Sequence, residues 1–248
     1  MILRCSKVLV TGGGSGIGLA IARKLTQEGA QVVIAGRHLA KLENAAQTIN
    51  SDRLKIMQWD VADLSLTKEK LAEAANKMDG LDGLVNNAGV KSSERGWEPW
   101  DVTEAEWDQV MDINLKAAFF VMRDMVDYLI AQKMKGNILN ITSNATCMGI
   151  TGAYGSAKLA LQKMTRAYGN RFGKYGIIIN GIAPGATFTP MIANYAHDLD
   201  QPYERHAIGR FIRPDEIAEL AAYLMSNWGE IICGHTVVAD GGDACATL

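Results

Sequence analysis

The chain lacks any apolar run long enough to cross a bilayer. Its first four residues, 1–4, show neither a long apolar core nor a cleavage pattern, so no secretory leader is expected. Cysteine is scarce: Cys5, Cys147, Cys233 and Cys245 are scattered without metal-ligand spacing. That argues against a disulfide framework or a zinc site and for reduced thiols in a cytoplasmic protein. The four histidines, His38, His197, His206 and His235, form no ligand motif, so no metal is expected. Charge of one sign is also missing. The net charge is -2 and there is no block of like charge, which leaves no footprint for nucleic acid or an anionic membrane. Internal repeats, low-complexity tracts and Pro/Ser-rich linkers are absent.

What is present is an ordinary globular composition, 48% hydrophobic and 21% charged, over 248 residues. This length suits one large α/β domain or two small ones, of which a single domain spanning 1–248 is expected, with a core that needs no covalent staples. Short β-rich runs at 7–11, 31–35, 54–59, 83–85, 137–142, 177–180 and 235–239 alternate with segments of helical periodicity. The alternation predicts a Rossmann-type, doubly wound parallel sheet of about seven strands with helices on both faces. Helices are expected at 39–49, 66–78, 104–113 and 115–132. Asn114 marks either a structural amide or a kink between the last two. The stretch 190–203, within a segment at about 188–212, is aperiodic and carries Met191, Tyr195 and Tyr203. It reads as a lid over an apolar substrate or as a surface excursion.

Chemistry-bearing residues fall at the carboxyl ends of these strands. Gly12-Gly13-Gly14-Ser15-Gly16-Ile17-Gly18 lies between the first strand and a helix, the context in which a glycine loop holds a pyrophosphate at a helix N-terminus. The second strand ends in Gly36-Arg37, where a dinucleotide fold selects its cofactor. No carboxylate stands there for a ribose 2′-hydroxyl, whereas an arginine fork suits a 2′-phosphate. NADP(H) is therefore favoured and NAD(H) remains possible. Asp60, with Val61, ends the third strand and suits either an adenine amino group or a helix cap. Asn86-Asn87-Ala88-Gly89 follows the fourth strand, as a ligand-approaching loop or a plain turn. Ser143 closes the fifth strand, with Thr142 and Thr146 as alternatives for a hydroxyl donor. Tyr154 and Lys158 stand four apart, one helical turn. An ammonium so placed is expected to lower the phenol's pKa from about 10 and tune it for proton transfer.

Thr11-Gly12-x-x-x-Gly16-Ile17-Gly18, Asp60-Val61, Asn86-Asn87-Ala88-Gly89, Asn114, Ser143, Tyr154-x-x-x-Lys158 and Pro184-Gly185 stand in a fixed order that resembles the short-chain dehydrogenase/reductase family over essentially the whole chain. The resemblance implies that Gly12, Ser15, Gly16, Ile17 and Gly18 hold the cofactor pyrophosphate. It places Asp60 and Val61 by the adenine, and Asn87, Ala88 and Gly89 by the adenosine ribose. Lys158 would hold the nicotinamide ribose, and Pro184, Gly185, Thr187 and Thr189 the carboxamide. It also implies a homotetramer or homodimer paired through the helices at 115–132 and 154–172. Two departures stand out: the stretch from Ser143 to Tyr154 is shorter than usual, and Ser15 takes a place often held by Arg or Lys in NADP-preferring members.

The activity so implied is an NAD(P)-dependent interconversion of ketone and secondary alcohol on a small-molecule substrate. Ser143 and Tyr154 hold the substrate oxygen, Tyr154 moves the proton, Lys158 positions, and Asn114 holds a water on the proton path. A non-catalytic NADP(H)-sensing protein on the same fold is the alternative. A sugar-nucleotide epimerase is a further rival, but one that needs a substrate domain for which 248 residues leave little room.

Overall fold

The computed structural model describes residues 3–91, 102–147 and 152–243. Seven parallel strands, β1 (Lys7–Thr11), β2 (Gln31–Gly36), β3 (Leu54–Gln58), β4 (Gly83–Asn86), β5 (Gly136–Ile141), β6 (Ile177–Pro184) and β7 (Thr236–Ala239), form one sheet in the order β3-β2-β1-β4-β5-β6-β7. The inner strands are apolar on both faces, as parallel strands covered by helices must be. Alternate side chains divide between two cores. Val8, Val10, Val32 and Ile34 pack on one side with α1 (Gly16–Gln27), α2 (Leu39–Ile49) and α7 (Pro214–Leu224). Leu9, Val33, Ile138 and Ile179 face α3 (Thr67–Met78), α5 (Ala118–Ala131) and α6 (Ala153–Phe172) on the other. The doubly wound sheet expected from the sequence is the one observed.

β1 pairs with both β2 and β4, so the chain winds outward to β3 and then returns to the opposite side of β1. That reversal opens a crevice at the carboxyl ends of β1 and β4, the place where open α/β sheets hold ligands. Buried amides hold its far side together. Asn86 donates to Asn140 (3.0 Å) and to the Ala118 carbonyl (3.1 Å), and Asn140 donates to Thr165 (2.9 Å). These bonds join β4, β5, α5 and α6.

Two elements differ from expectation. The break anticipated at Asn114 is a π-helical turn, Asp112–Ala117, between α4 (Glu104–Met111) and α5. An inserted residue frees backbone groups there without ending the helix. The aperiodic stretch 190–203 holds only a short 3-10 turn, Pro190–Ile192. Its order comes from a small core of its own, in which Tyr203 stacks on Phe211 at 4.4 Å beside Ile192 and Ala196. The bidentate pair of Arg210 with Glu216 (2.9 and 2.7 Å) anchors it to α7 and holds the Glu216 carboxyl down at about 2. No helix among the described residues is long and apolar enough to cross a membrane, and none of their side chains cluster as a metal site. Cys245 and part of the Ser143–Tyr154 stretch, 148–151, lie outside the described residues.

Candidate active site

The glycine loop is clamped to β4 from below. Thr11 Oγ1 accepts from the backbone N–H groups of Asn87 (3.0 Å) and Ala88 (3.1 Å). Asn87 Nδ2 donates back to the carbonyls of Thr11 (3.0 Å) and Gly12 (3.1 Å). This leaves no room for a side chain at Gly12 or Gly18. A Cβ on Gly18 would lie 2.4 Å from Asn87 Nδ2 and 2.5 Å from the Gly12 carbonyl oxygen. Gly12 itself has φ +66°, which only glycine adopts without strain. Ser15 sits at the N-cap of α1 in extended conformation and makes no side-chain cap, and the first turn carries no carboxylate. The helix therefore presents backbone N–H donors and its positive dipole end to the crevice.

Two clefts meet over the sheet at Gly89. The first, about 240 Å³, is lined by Gly12, Ser15, Gly36, Arg37, Asp60, Val61 and Ala88, together with His38, Lys41 and Trp59. The sequence reading missed the last three. Lys41 carried a usable signal, since it lies one helical turn beyond Arg37 on the segment leaving β2. Arg37, His38 and Lys41 are all exposed, and the exposed Asp60 is the carboxylate on the same wall. The second cleft, about 690 Å³, is lined by Ile17, Asn87, Asn114, Ser143, Tyr154, Lys158, Pro184, Gly185, Thr187 and Thr189. The residues to which the resemblance gives a cofactor or catalytic role thus lie on one of the two walls or, in Gly16 and Gly18, in the loop between them, whereas the alternative hydroxyl Thr146 lines neither.

Within the second cleft, Ser143 follows β5 and Tyr154 opens α6, and their hydroxyls are hydrogen-bonded to each other. Ser143 Oγ also accepts from the Ala145 N–H at 3.2 Å. The alternative hydroxyls are committed elsewhere: Thr142 donates to the Ile182 carbonyl (3.0 Å) and Thr146 to the Ser143 carbonyl (2.9 Å). Lys158 is 4% exposed and donates to the Ile141 carbonyl at 2.9 Å. Its ammonium lies 5.9 Å from the centroid of the Tyr154 ring.

This geometry corrects the expected tuning. Burial lowers Lys158 to about 8. Burial likewise raises Tyr154 above its usual phenolic value, and the Ser143 hydrogen bond offsets that only in part. The ammonium sits against the ring and a backbone carbonyl, and desolvation penalises both charged forms. The π-helical turn commits Asn114 in the same way: its Oδ1 accepts from Val90 N–H (3.0 Å) and its Nδ2 donates to Val90 C=O (2.7 Å). The amide splints the loop that carries Gly89.

A glycine cradle with no room for a side chain at Gly12, Gly13 or Gly18, an uncapped helix start and an elongated two-part cleft fit a dinucleotide laid across the sheet. The second part ends on a paired serine and tyrosine. Fold and site together define a dinucleotide-dependent oxidoreductase. Residues 12–243 match the family model described as Enoyl-(Acyl carrier protein) reductase. The chain is 34% identical over 242 residues to a 2,5-dichloro-2,5-cyclohexadiene-1,4-diol dehydrogenase of Sphingobium indicum, covering 95% of each chain. It is 31% identical to a levodione reductase of Leifsonia aquatica, covering 96% of this chain and 94% of that one. An actinorhodin polyketide ketoreductase solved with NADPH superposes with a TM-score of 0.86 at 26% identity, covering 98% and 99% of the two chains. The protein belongs to the short-chain dehydrogenase/reductase family. It is an oxidoreductase of that family, using a nicotinamide cofactor on a small-molecule substrate.

Proposed function

We propose that the protein interconverts a ketone and a secondary alcohol with NADP(H), and that Tyr154 is the group that moves the proton. The observation that carries this reading is the hydrogen-bonded pair of Ser143 and Tyr154 on the wall of the larger cleft, with Lys158 one turn behind. When bound, the nicotinamide supplies or accepts the hydride at the carbon that bears the oxygen. Ser143 donates its hydroxyl to that oxygen, and Tyr154 gives it a proton in reduction and takes one in oxidation. Proton transfer by a positioned group of this kind contributes about 10²–10⁴-fold. Lys158 gives one of its three N–H bonds to Ile141, so two remain for ribose hydroxyls. The π-helical turn at Asn114 offers freed backbone acceptors for a water on the proton path.

Arg37 and Lys41 support the choice of NADP(H) over NAD(H), because they bring two cations to a cleft whose β2 end, Gly36, has no carboxylate. Pro184, Gly185, Thr187 and Thr189 line the carboxamide end, and the segment at 188–212 closes the substrate side as a lid. The named relatives include a diol dehydrogenase and a reductase, which is consistent with use in either direction. Free thiols at Cys5, Cys147 and Cys233 suit the cytoplasm. Exposed Ile130 on α5 and Leu159 on α6 suit pairing into a dimer or tetramer through those helices, which sedimentation of the purified protein would read as two or four chains.

Tyr154→Phe is the direct test. The variant is expected to bind NADPH as the parent does and to lose at least about 10²-fold in kcat. A variant with near-normal turnover would remove Tyr154 from the chemistry. A parent protein that binds NADPH but turns over no carbonyl in a broad panel would favour the sensing role instead.

A further inference from the structure

The larger cleft has a polar wall that the proposed hydride and proton transfer does not use. Asn144, Arg205 and Asp243 line it, beyond Ser143 and Tyr154. Asp243 is 7% exposed, and its Oδ2 accepts from Asn144 Nδ2 at 3.1 Å and faces Arg205 Nη2 at 3.5 Å. A carboxylate offers about four acceptor positions, and these two contacts converge on a single oxygen. Burying a carboxylate beside an active-site cleft is costly, and one arginine with a half-exposed side chain offsets only part of that cost. The placement is nonetheless fixed by the backbone. Asp240 accepts from the Gly242 N–H at 3.0 Å, and the Asp243 N–H donates to the Asp240 carbonyl at 3.3 Å, a turn that swings Asp243 in from the end of β7. On the facing walls Met191 and Ile192 are apolar, and Tyr195 adds an aromatic ring with a phenol hydroxyl.

Resting on the dehydrogenase reading above, we propose that Asn144, Arg205 and Asp243 form a hydroxyl-recognition subsite, so that the substrate is a hydroxy ketone or the corresponding diol. The three residues together are close to neutral and offer both donors and an acceptor. A hydroxyl group uses both, donating to the carboxylate and accepting from the amide or guanidinium. A carboxylate or phosphate group would meet Asp243 as a like charge, and a purely hydrocarbon group would cover the three polar groups and return no hydrogen bond to them.

The test pairs alpha-hydroxycyclohexanone with cyclohexanone, on the intact protein with NADPH, and reads both turnover and calorimetric binding. The parent is expected to favour the hydroxy ketone at least about tenfold in kcat/KM and in binding, the ratio one hydrogen bond to a charged group supplies. In Asp243→Asn, checked for an unchanged circular-dichroism spectrum and melting profile, the ratio should collapse toward unity, chiefly through KM. Arg205→Met serves as a second variant should the first not fold, with the same collapse expected. A parent that binds the two ketones alike, or that prefers a 2-oxo acid to both, overturns the subsite. So does a folded Asp243→Asn that keeps the preference. Selective binding without any turnover would leave the subsite standing and remove the dehydrogenase reading instead.

Discussion

Lys158 is a cation placed against its own stability. Its folded pKa of about 8 lies below the ordinary 10.5 because burial disfavours the charge. Below pH 8 both folded and unfolded chains carry the proton, and the folded state bears the whole cost. Between about 8 and 10.5 the unfolded chain holds more protons, so stability rises with pH across that window. Lys158→Met removes a penalty of about 3 kcal/mol at neutral pH and orphans the Ile141 carbonyl at about 1 kcal/mol. The variant is therefore expected to be more stable than the parent by about 2 kcal/mol at pH 7. The advantage should shrink as pH passes 8 and be gone by about 10.5, while activity is lost throughout. Urea melts at pH 7 and pH 10 would decide it, and equal stabilities at pH 7 would mean that the ammonium is better solvated than its burial indicates. The spacing of Tyr154 and Lys158 was legible from the sequence. The sign of the phenol's shift was not, because it depends on desolvation, which a sequence does not display.

The glycine loop and its strands form the element to which the proposed pyrophosphate contacts belong. Strand, loop and helix could be placed from the order of apolar and small residues, and the π-helical turn was foreshadowed by Asn114 amid apolar neighbours. What the linear pattern withheld was the tie between β1 and β4, because Thr11 and Asn87 meet only when a parallel sheet brings them side by side. That tie leaves Gly18 without room. Gly18→Ala must push Asn87 off the Gly12 carbonyl, since its Cβ would fall within 2.5 Å of both partners. Displacing the loop should weaken NADPH binding at least tenfold, about 1.4 kcal/mol, with the tyrosine and serine untouched. Fluorescence titration of bound NADPH reads this directly, and an unchanged affinity would show that the loop can shift without cost.

Across the whole molecule, seven strands could be counted from the sequence; the inner ones read as near-continuous apolar runs because they are buried on both faces, whereas the edge strands β3 and β7 are only half buried. The walls of the two clefts were only partly visible. Lys41, Arg205 and Asp243 come from separate parts of the chain, and the doubly wound topology alone brings each to the carboxyl edge of the sheet. Because the cofactor cleft draws on so many elements, occupancy should be felt by the entire fold. A ligand bound only by the folded state, at 100 times its Kd, adds about 2.7 kcal/mol. For a chain of this length that raises Tm by about 5–10 °C. At equal concentration NADPH is expected to give a larger shift than NADH if, as proposed, Arg37 and Lys41 meet the 2′-phosphate that NADH lacks. In the double variant Arg37→Ala, Lys41→Ala the NADPH shift should fall to that of NADH, and the NADH shift should not change. A larger shift with NADH in the parent protein would reverse the choice of cofactor while leaving the glycine cradle, Ser143 and Tyr154 in their assigned roles.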